Sequence, residues 1–231
     1  MLTKTDGNTA ENKDNQIFLL NKLCYFLPET LMPDYCRHGL YESSLIEWCK
    51  QFCTKSTVFL DIGAHTGTYT LSLSSGCKEV YSFEPQKMTY YALCGSVALS
   101  NVTNVTCLNV GLGSKEQVGK QVLHIVSDDG GGSTLHPTGQ VLRTETIDVD
   151  TLDSIAKTRS ICNVGFIKMD VEENELHVLR GATEMLKLSN YPKILFESNS
   201  TNTALFEYVE LLGYKIVHLT GVSNMFLAIF K

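Results

Sequence analysis

From Thr57 onward, short apolar runs alternate with amphipathic stretches, which is the pattern of parallel strands joined by crossover helices. The apolar runs predict core strands at 57–62, 80–84, 105–110, 164–170 and 192–198. The amphipathic stretches predict helices at about 67–75, 86–100, 172–188 and 202–212. Two late runs, 214–219 and 225–230, flank a short turn and predict an antiparallel terminal hairpin. We therefore expect an α/β fold with a mostly parallel sheet.

The chain before residue 57 has a different pattern. Residues 1–15 are polar and predict a disordered tail, and residues 16–55 predict an N-terminal helical segment. Within that segment we expect helices at Ile17–Leu27 and Glu42–Phe52, with an irregular connector between them. We expect residues 16–231 to form a single domain, because the length suits one core of ordinary size.

An insertion separates the third and fourth core strands. Its flanks, Gln121–Ser127 and Val141–Asp148, could pair as an antiparallel ribbon. Between them, Asp128–Ser133 contains three consecutive glycines, which suit either a mobile lid or a plain surface loop. Thr151 after the insertion is a candidate N-cap for a short helix.

The ends of the first two core strands carry the residues of a nucleoside site. Asp61 ends the first strand and is followed by Gly63 and Gly67, and Glu84 ends the second strand. Doubly wound folds bind nucleosides at this edge, where an acid can accept both ribose hydroxyls. The glycine spacing lacks the G-x-G-x-x-G turn that cradles a pyrophosphate, so S-adenosylmethionine fits better than NAD.

Asn109 ends the third strand, at the edge that lies beside the adenine ring in such folds. Its side-chain amide could bind the base, or it could simply form a turn, and the sequence leaves both open.

Three acids follow the fourth and fifth strands. Asp170 closes the fourth strand, Glu197 closes the fifth, and Glu172 begins the next helix. Carboxylates converging at a switch point suit general-base chemistry or an oxygen-ligated Mg²⁺ or other divalent cation, which makes Asp170 and Glu197 candidate metal ligands. The simpler alternative is a salt bridge to a nearby cation: Lys168, Lys193 or Arg180.

Composition narrows the class of protein. The net charge of −6 argues against a nucleic-acid partner, and no apolar run is long enough to span a membrane. The polar first sixteen residues contain no signal-peptide core, so we expect a cytoplasmic protein.

Eight cysteines without a C-x-x-C pair indicate reduced thiols. Nothing in the sequence indicates an oligomeric state.

Several of these motifs, in this order, resemble the FkbM-type S-adenosylmethionine-dependent methyltransferases. The matching segments are Gly39–Glu42, Phe59–Gly67, Phe83–Pro85, Asn109, Thr151–Asp153, Ile167–Glu172, Val178–Ala182 and Leu195–Glu197. The resemblance implies a class I methyltransferase fold with a seven-stranded sheet, and O-methylation of a sugar or natural-product hydroxyl. From the strand ends and this chemistry we expect cofactor contacts from Asp61, Gly63, Ala64, His65, Gly67, Glu84, Asn109 and Asp170, and catalytic roles for Asp170, Glu197 and Glu172.

The sequence departs from the family pattern at two places. Glu173 and Asn174 replace two small residues after Glu172, and His65 stands where the family often has Asn. We therefore expect the helix start after Asp170 to be reshaped around the acceptor.

The functional hypothesis is an O-methyltransferase that uses S-adenosylmethionine to methylate a hydroxyl of a sugar or glycan. Within enzymes, the alternative acceptor is a polyketide or lipid hydroxyl. A nucleotide-dependent oxidoreductase and a non-catalytic cofactor-binding module are the alternatives from other classes.

Overall fold

The computed structural model describes residues 17–137, 139–221 and 224–231. The predicted tail at 1–15 lies outside these residues. The strands in this part of the chain are β1 (Ile17–Leu20), β2 (Leu23–Phe26), β3 (Val58–Ile62), β4 (Glu79–Phe83), β5 (Val105–Leu108), β6 (Gly111–Leu112), β7 (Gly119–Ile125), β8 (Arg143–Asp150), β9 (Val164–Met169), β10 (Lys193–Glu197), β11 (Tyr214–His218) and β12 (Met225–Phe230).

The α-helices in the same ranges are α1 (Met32–His38), α2 (Ser43–Cys49), α3 (Thr68–Ser74), α4 (Lys87–Leu99), α5 (Leu152–Arg159), α6 (Glu175–Arg180), α7 (Thr183–Leu188) and α8 (Thr203–Leu211). Short 3₁₀ turns lie at Glu29–Leu31, Lys50–Phe52 and Lys115–Gln117. Among the described helices, none has the length and apolar character needed to cross a bilayer.

A seven-stranded sheet forms the centre of the molecule, in the order β5-β4-β3-β9-β10-β12-β11. The first five strands in this order are parallel, and β12 runs antiparallel to both β10 and β11. This confirms the predicted mostly parallel sheet with an antiparallel terminal hairpin. Every residue of β3 is buried, as expected for a central parallel strand covered on both faces.

The strand order places the functional edge. From β3 the chain moves outward through β4 to β5, and it later returns to β9 on the other side of β3. The connections from β3 and β9 therefore diverge, which opens a crevice at the carboxyl ends of these two strands.

The predicted helix at Ile17–Leu27 is wrong. This segment forms a β-hairpin in which Leu20 pairs with Leu23. Asn21 and Lys22 both have positive φ, at 51° and 70°, which is the geometry of a tight two-residue turn matching the strand twist. The side chains of β1 alternate between exposed and half-buried, so the period is two rather than 3.6.

Two other boundaries differ from the prediction. The connector expected to be irregular contains α1, and the predicted helix at 172–188 is divided into α6 and α7. The division occurs at Gly181, where a Cβ would lie 2.1 Å from the carbonyl oxygen of Gly113. The segment before α6 is not helical because Glu172 and Glu173 have φ of 51° and 74°.

The insertion forms the predicted ribbon. β7 and β8 pair antiparallel, and β6 adds to β8 in parallel, which gives a three-stranded sheet. The backbone N–H of Ser154 donates to the Thr151 hydroxyl at 3.1 Å, so Thr151 caps α5 as predicted.

Candidate active site

A cavity of about 770 Å³ lies at the carboxyl ends of β3, β4, β9 and β10. Its walls come from three parts of the chain: the strand ends, the segment around α1 and the start of α2, and the glycine-rich loop between β7 and β8. The volume falls within the range of pockets that enclose a small-molecule ligand. The crevice predicted from the strand order is therefore a pocket large enough for a small-molecule ligand.

The turn after β3 depends on Gly63. Gly63 has φ of 77°, and a Cβ there would stand 1.8 Å from the carbonyl oxygen of Asp170. The backbone N–H groups of Gly63 and Ala64 both donate to the Phe83 carbonyl at 3.0 Å. The absence of a side chain thus lets the ends of β3, β4 and β9 meet at one wall of the cavity.

Gly67 has a different role from Gly63. It precedes α3 with φ of 95°, and a Cβ would lie 2.7 Å from Leu93. Gly67 does not line the cavity, whereas Gly63, Ala64 and His65 do.

The Glu84 carboxylate is buried in the cavity wall and held by backbone donors. Its Oε1 accepts the N–H of Gln86 and its Oε2 accepts the N–H of His65, both at 2.9 Å. Burial raises the pKa of Glu84 to about 7, although these two donors oppose the rise. Each oxygen keeps a second lone pair for a ligand hydroxyl, which fits the predicted ribose site.

Asp61 lies behind this wall rather than in it. Its Oδ2 accepts the Thr70 hydroxyl at 2.5 Å, and Thr70 also hydrogen-bonds Ser82. Asp61 is only 1% exposed, and burial raises its pKa while the charge of Lys168 opposes that rise. The side chain of Asp61, a predicted cofactor residue, therefore points toward α3 and does not line the cavity.

Asn109 also lies outside the cavity lining. Its side-chain amide donates to the carbonyls of Glu84 and Pro85, each at 2.9 Å. The next residues, Val110 and Gly111, line the cavity instead. Asn109 thus fixes the chain that carries the Glu84 carboxylate.

His65 connects the strand edge to the glycine-rich loop. Its φ is 49°, and its Nε2 lies 2.8 Å from the carbonyl oxygen of Asp129. Burial lowers the pKa of the imidazole. A neutral ring at this position donates to the carbonyl and holds the loop against the cavity.

Asp170 forms an ion pair with a buried lysine. Its Oδ2 lies 3.1 Å from Lys168 Nζ, which also donates to the Gly63 carbonyl at 3.4 Å. Burial alone would lower the pKa of Lys168, but the charges of Asp170 and Asp61 outweigh it and raise that pKa. The salt bridge to Lys168, one of the alternatives left by the sequence, is therefore present.

Glu197 and Glu172 line the same cavity as Asp170, so the structure brings the three predicted acids to one site. Burial, followed by the charges of Asp170 and Glu172, raises the pKa of Glu197 to about 7. Burial likewise raises the pKa of Glu172. Unlike the Asp170 carboxylate, the Glu197 carboxylate forms no hydrogen bond or ion pair with another described residue.

The described residues give the predicted metal site no support. Across 17–137, 139–221 and 224–231, no group of three or more His, Cys, Asp or Glu side chains is arranged to hold a metal ion. Mg²⁺ needs near-octahedral oxygen ligation, and the cation beside Asp170 is the Lys168 ammonium. The predicted divalent cation at Asp170 and Glu197 therefore has no support in the described residues.

Sequence reasoning missed two polar groups of the site. Glu42 lines the cavity and accepts a hydrogen bond from Tyr69, but it precedes a helix and no strand-end pattern marks it. Asn174 is buried, and its amide joins Leu112, Gln117 and His136. The sequence feature that could have pointed to Asn174 is that it replaces a small residue of the family pattern.

Comparisons with known proteins agree with this geometry. The profile of the methyltransferase FkbM domain matches residues 61–216, which is more than half of the chain. No curated protein sequence matches the chain significantly.

Solved structures share the fold at low sequence identity. Precorrin-6y C5,15-methyltransferase from Geobacter metallireducens is 10% identical, with a TM-score of 0.53 over 90% of this chain and 94% of that chain. A protein from Streptococcus mutans, described as a methyltransferase in complex with S-adenosylhomocysteine (SAH), is 12% identical, with a TM-score of 0.50 over 80% of this chain and 93% of that chain. The fold is thus that of the class I methyltransferases, and the chain belongs to the FkbM family of S-adenosylmethionine-dependent methyltransferases.

Proposed function

We propose that this protein transfers the methyl group of S-adenosylmethionine to a hydroxyl oxygen of a sugar or glycan. The observation that carries the proposal is the pair of acids beyond the nucleoside end of the cavity. Asp170 and Glu197 line one cavity in different electrostatic environments. A hydroxyl is a weak nucleophile and needs a group that removes its proton as the new bond forms.

The residues of the nucleoside end suit the donor. Glu84 would bind the ribose hydroxyls, the turn from Gly63 to His65 would lie against the donor, and Val110 and Gly111 would border the base. S-adenosylmethionine supplies an electrophilic methyl group that is ready for in-line displacement. The protein has to hold the acceptor oxygen close to that methyl group and on its axis, which can contribute about 7–11 kcal/mol.

Glu197 is the better candidate for the base. The sequence favoured Asp170 in that role, but the Lys168 ammonium 3.1 Å away already occupies one Asp170 oxygen. With a pKa of about 7, Glu197 can both accept a proton from a hydroxyl and release it near neutral pH. Asp170 would instead hold the acceptor hydroxyl in line, and Glu172 would keep the local field negative.

The acceptor end of the cavity supports a polyhydroxyl substrate. Tyr35 and Tyr41 from the N-terminal segment line it, and Tyr41 is 72% exposed, which offers a ring face to a sugar. The acids around it accept hydrogen bonds and would repel phosphorylated or otherwise anionic acceptors.

A methyl-transfer screen tests this function. The protein would be incubated with S-adenosylmethionine and either methyl glycosides, simple aliphatic alcohols or phenols, and products would be identified by mass spectrometry. We expect a gain of one methyl on a glycoside, and loss of that product in Glu197→Gln. Methylation of the phenols or alkyl alcohols alone would replace the sugar acceptor, and SAH binding without any transfer would indicate a non-catalytic module.

A further inference from the structure

The turn between α1 and α2 carries a carboxylate into the cavity. Glu42 immediately precedes α2 and has φ of 55°, a left-handed conformation that few non-glycine residues adopt. Such a conformation persists where the surrounding contacts favour it, and it recurs at binding sites. Glu42 lines the same cavity as Asp170 and Glu197.

Tyr69 holds this carboxylate. The Tyr69 hydroxyl donates to Glu42 Oε2 at 2.8 Å, and Tyr69 is only 6% exposed. The ring of Tyr69 also lies below the Lys168 ammonium, with 5.3 Å from Nζ to the ring centroid. Tyr69 therefore joins the N-terminal segment to the Lys168–Asp170 ion pair, so Glu42 is held in a fixed position relative to that pair.

Among the described residues, the Tyr69 hydroxyl is the one hydrogen-bond donor to the Glu42 carboxylate, and Oε1 is left open. The Glu197 carboxylate, on a separate element, also has no donor among the described residues, and the charge of Glu42 contributes to its raised pKa. A polyhydroxyl ligand in the cavity would supply hydrogen-bond donors to both carboxylates.

We propose that Glu42 binds a hydroxyl of the acceptor and determines its specificity, and that Tyr69 is the positioning residue that fixes the Glu42 carboxylate. The inference rests on the proposed function and extends it, because it assigns acceptor recognition to a residue before the sheet begins. The acceptor it selects presents a second hydroxyl near the one that is methylated.

Three variants separate the parts of this proposal. Tyr69→Phe removes the hydroxyl but keeps the ring beside Lys168, Glu42→Ala removes the acceptor contact, and Glu42→Gln keeps an oxygen that can accept from Tyr69. Glu47→Gln is the matched control, because Glu47 lies in α2, is exposed and pairs with Lys50. For each protein, KM and kcat are measured with the methyl glycoside methylated by the wild type, SAH affinity is measured by calorimetry, and the melting temperature is measured by thermal denaturation.

We expect Glu42→Ala to raise the acceptor KM about 10- to 100-fold, the scale of a lost charged hydrogen bond, with SAH affinity within twofold of wild type. Glu42→Gln should recover part of this loss, and Tyr69→Phe should raise KM with a smaller effect on kcat. A wild-type KM in Glu42→Ala would overturn the proposal while leaving sugar methylation intact. Equal losses of SAH binding and melting temperature in all three variants would show a purely structural role. Failure of the wild type to methylate any glycoside would reject the proposed function itself, and this inference with it.

Discussion

Gly63 and Asp170 touch through their backbones: a Cβ on Gly63 would stand 1.8 Å from the carbonyl oxygen of Asp170. The contact joins the end of β3, which begins the nucleoside turn, to the end of β9, which carries the first acid. We therefore expect both donor binding and the placement of the acids to depend on this glycine.

Gly63→Ala should disrupt both functions. The added methyl overlaps the Asp170 carbonyl, and φ of 77° disfavours any side chain. We expect a loss of at least about 2 kcal/mol in the free energy of unfolding and no measurable SAH binding. Gly139→Ala is the control, because nothing lies within 4 Å of its added Cβ. Chemical denaturation and calorimetry check this, and wild-type SAH affinity in Gly63→Ala would contradict it.

Glu84→Ala should weaken S-adenosylmethionine binding by about 1.5–3 kcal/mol, since it would remove the proposed charged hydrogen bonds to the ribose. With the pKa of Glu84 raised to about 7, wild-type affinity should also fall as the pH drops below 7, because the protonated acid accepts hydrogen bonds poorly. Calorimetry over a pH series measures both effects. Glu207→Ala on the exposed face of α8 is the control, and equal affinities for Glu84→Ala and this control would remove Glu84 from the ribose site.

The rate of methyl transfer should rise with pH through about 7 and then level. Glu197 must be deprotonated to accept the hydroxyl proton, and its pKa is raised to about 7, so the active form is lost as the pH falls below that value. Glu197→Gln should abolish this rise together with most of the turnover. A pH–rate profile that is identical in wild type and Glu197→Gln would exclude Glu197 as the base.

Asp170→Asn should lower kcat at least about 100-fold while SAH affinity stays nearly unchanged.

Much of this site follows from strand ends, and the remainder does not. An apolar run that stops at Asp61, Glu84, Asp170 or Glu197 marks the carboxyl edge of a parallel sheet, so these four residues could be located from the sequence. The direction in which each side chain points could not be predicted from the sequence. Asp61 faces Thr70, and Asn109 faces the Glu84 and Pro85 carbonyls.

The N-terminal segment could not be predicted for a different reason. Its apolar run at 17–27 suits a helix or a hairpin, and the two-residue turn at Asn21 and Lys22 lacks the glycine that usually marks such turns. Glu42 lies in the Gly39–Glu42 segment that resembles the family pattern, but that pattern does not show that the turn between α1 and α2 places Glu42 in the cavity lining.

Glu175 should make stability depend on pH. It is 2% exposed, its Oε1 accepts the Val171 N–H at 3.0 Å, and its Oε2 has no partner among the described residues. Burial raises its pKa from 4.5 to about 8, so the folded state binds a proton more tightly than the unfolded state. The stabilisation that the protonated Glu175 carboxyl contributes is fully present below about pH 4.5 and is lost as the pH rises through about 8, at about 1.4 kcal/mol per pH unit.

Glu175→Gln removes the titrating group. Between pH 5 and 8, the free energy of unfolding should therefore change by a few kcal/mol less in this variant than in the wild type. Glu184→Gln on the exposed side of α7 should keep the wild-type slope. Urea denaturation at several pH values provides the comparison. Parallel slopes for wild type and Glu175→Gln would show that Glu175 does not contribute.

Methyl transfer should survive removal of divalent cations. The cation beside Asp170 is Lys168, and no cluster of three or more metal-ligating side chains lies among the described residues. We expect less than about a twofold change in rate after exhaustive EDTA treatment, against a control restored with Mg²⁺. Complete loss of activity that Mg²⁺ restores would mean that the acids bind a metal after all.

The most direct measurement is a crystal structure of the protein with SAH. The account predicts the ribose hydroxyls on the Glu84 carboxylate and the sulfur directed toward the end of the cavity that holds Asp170, Glu197 and Glu42. A ribose more than one hydrogen-bond length from Glu84, or a sulfur turned away from those acids, would contradict it.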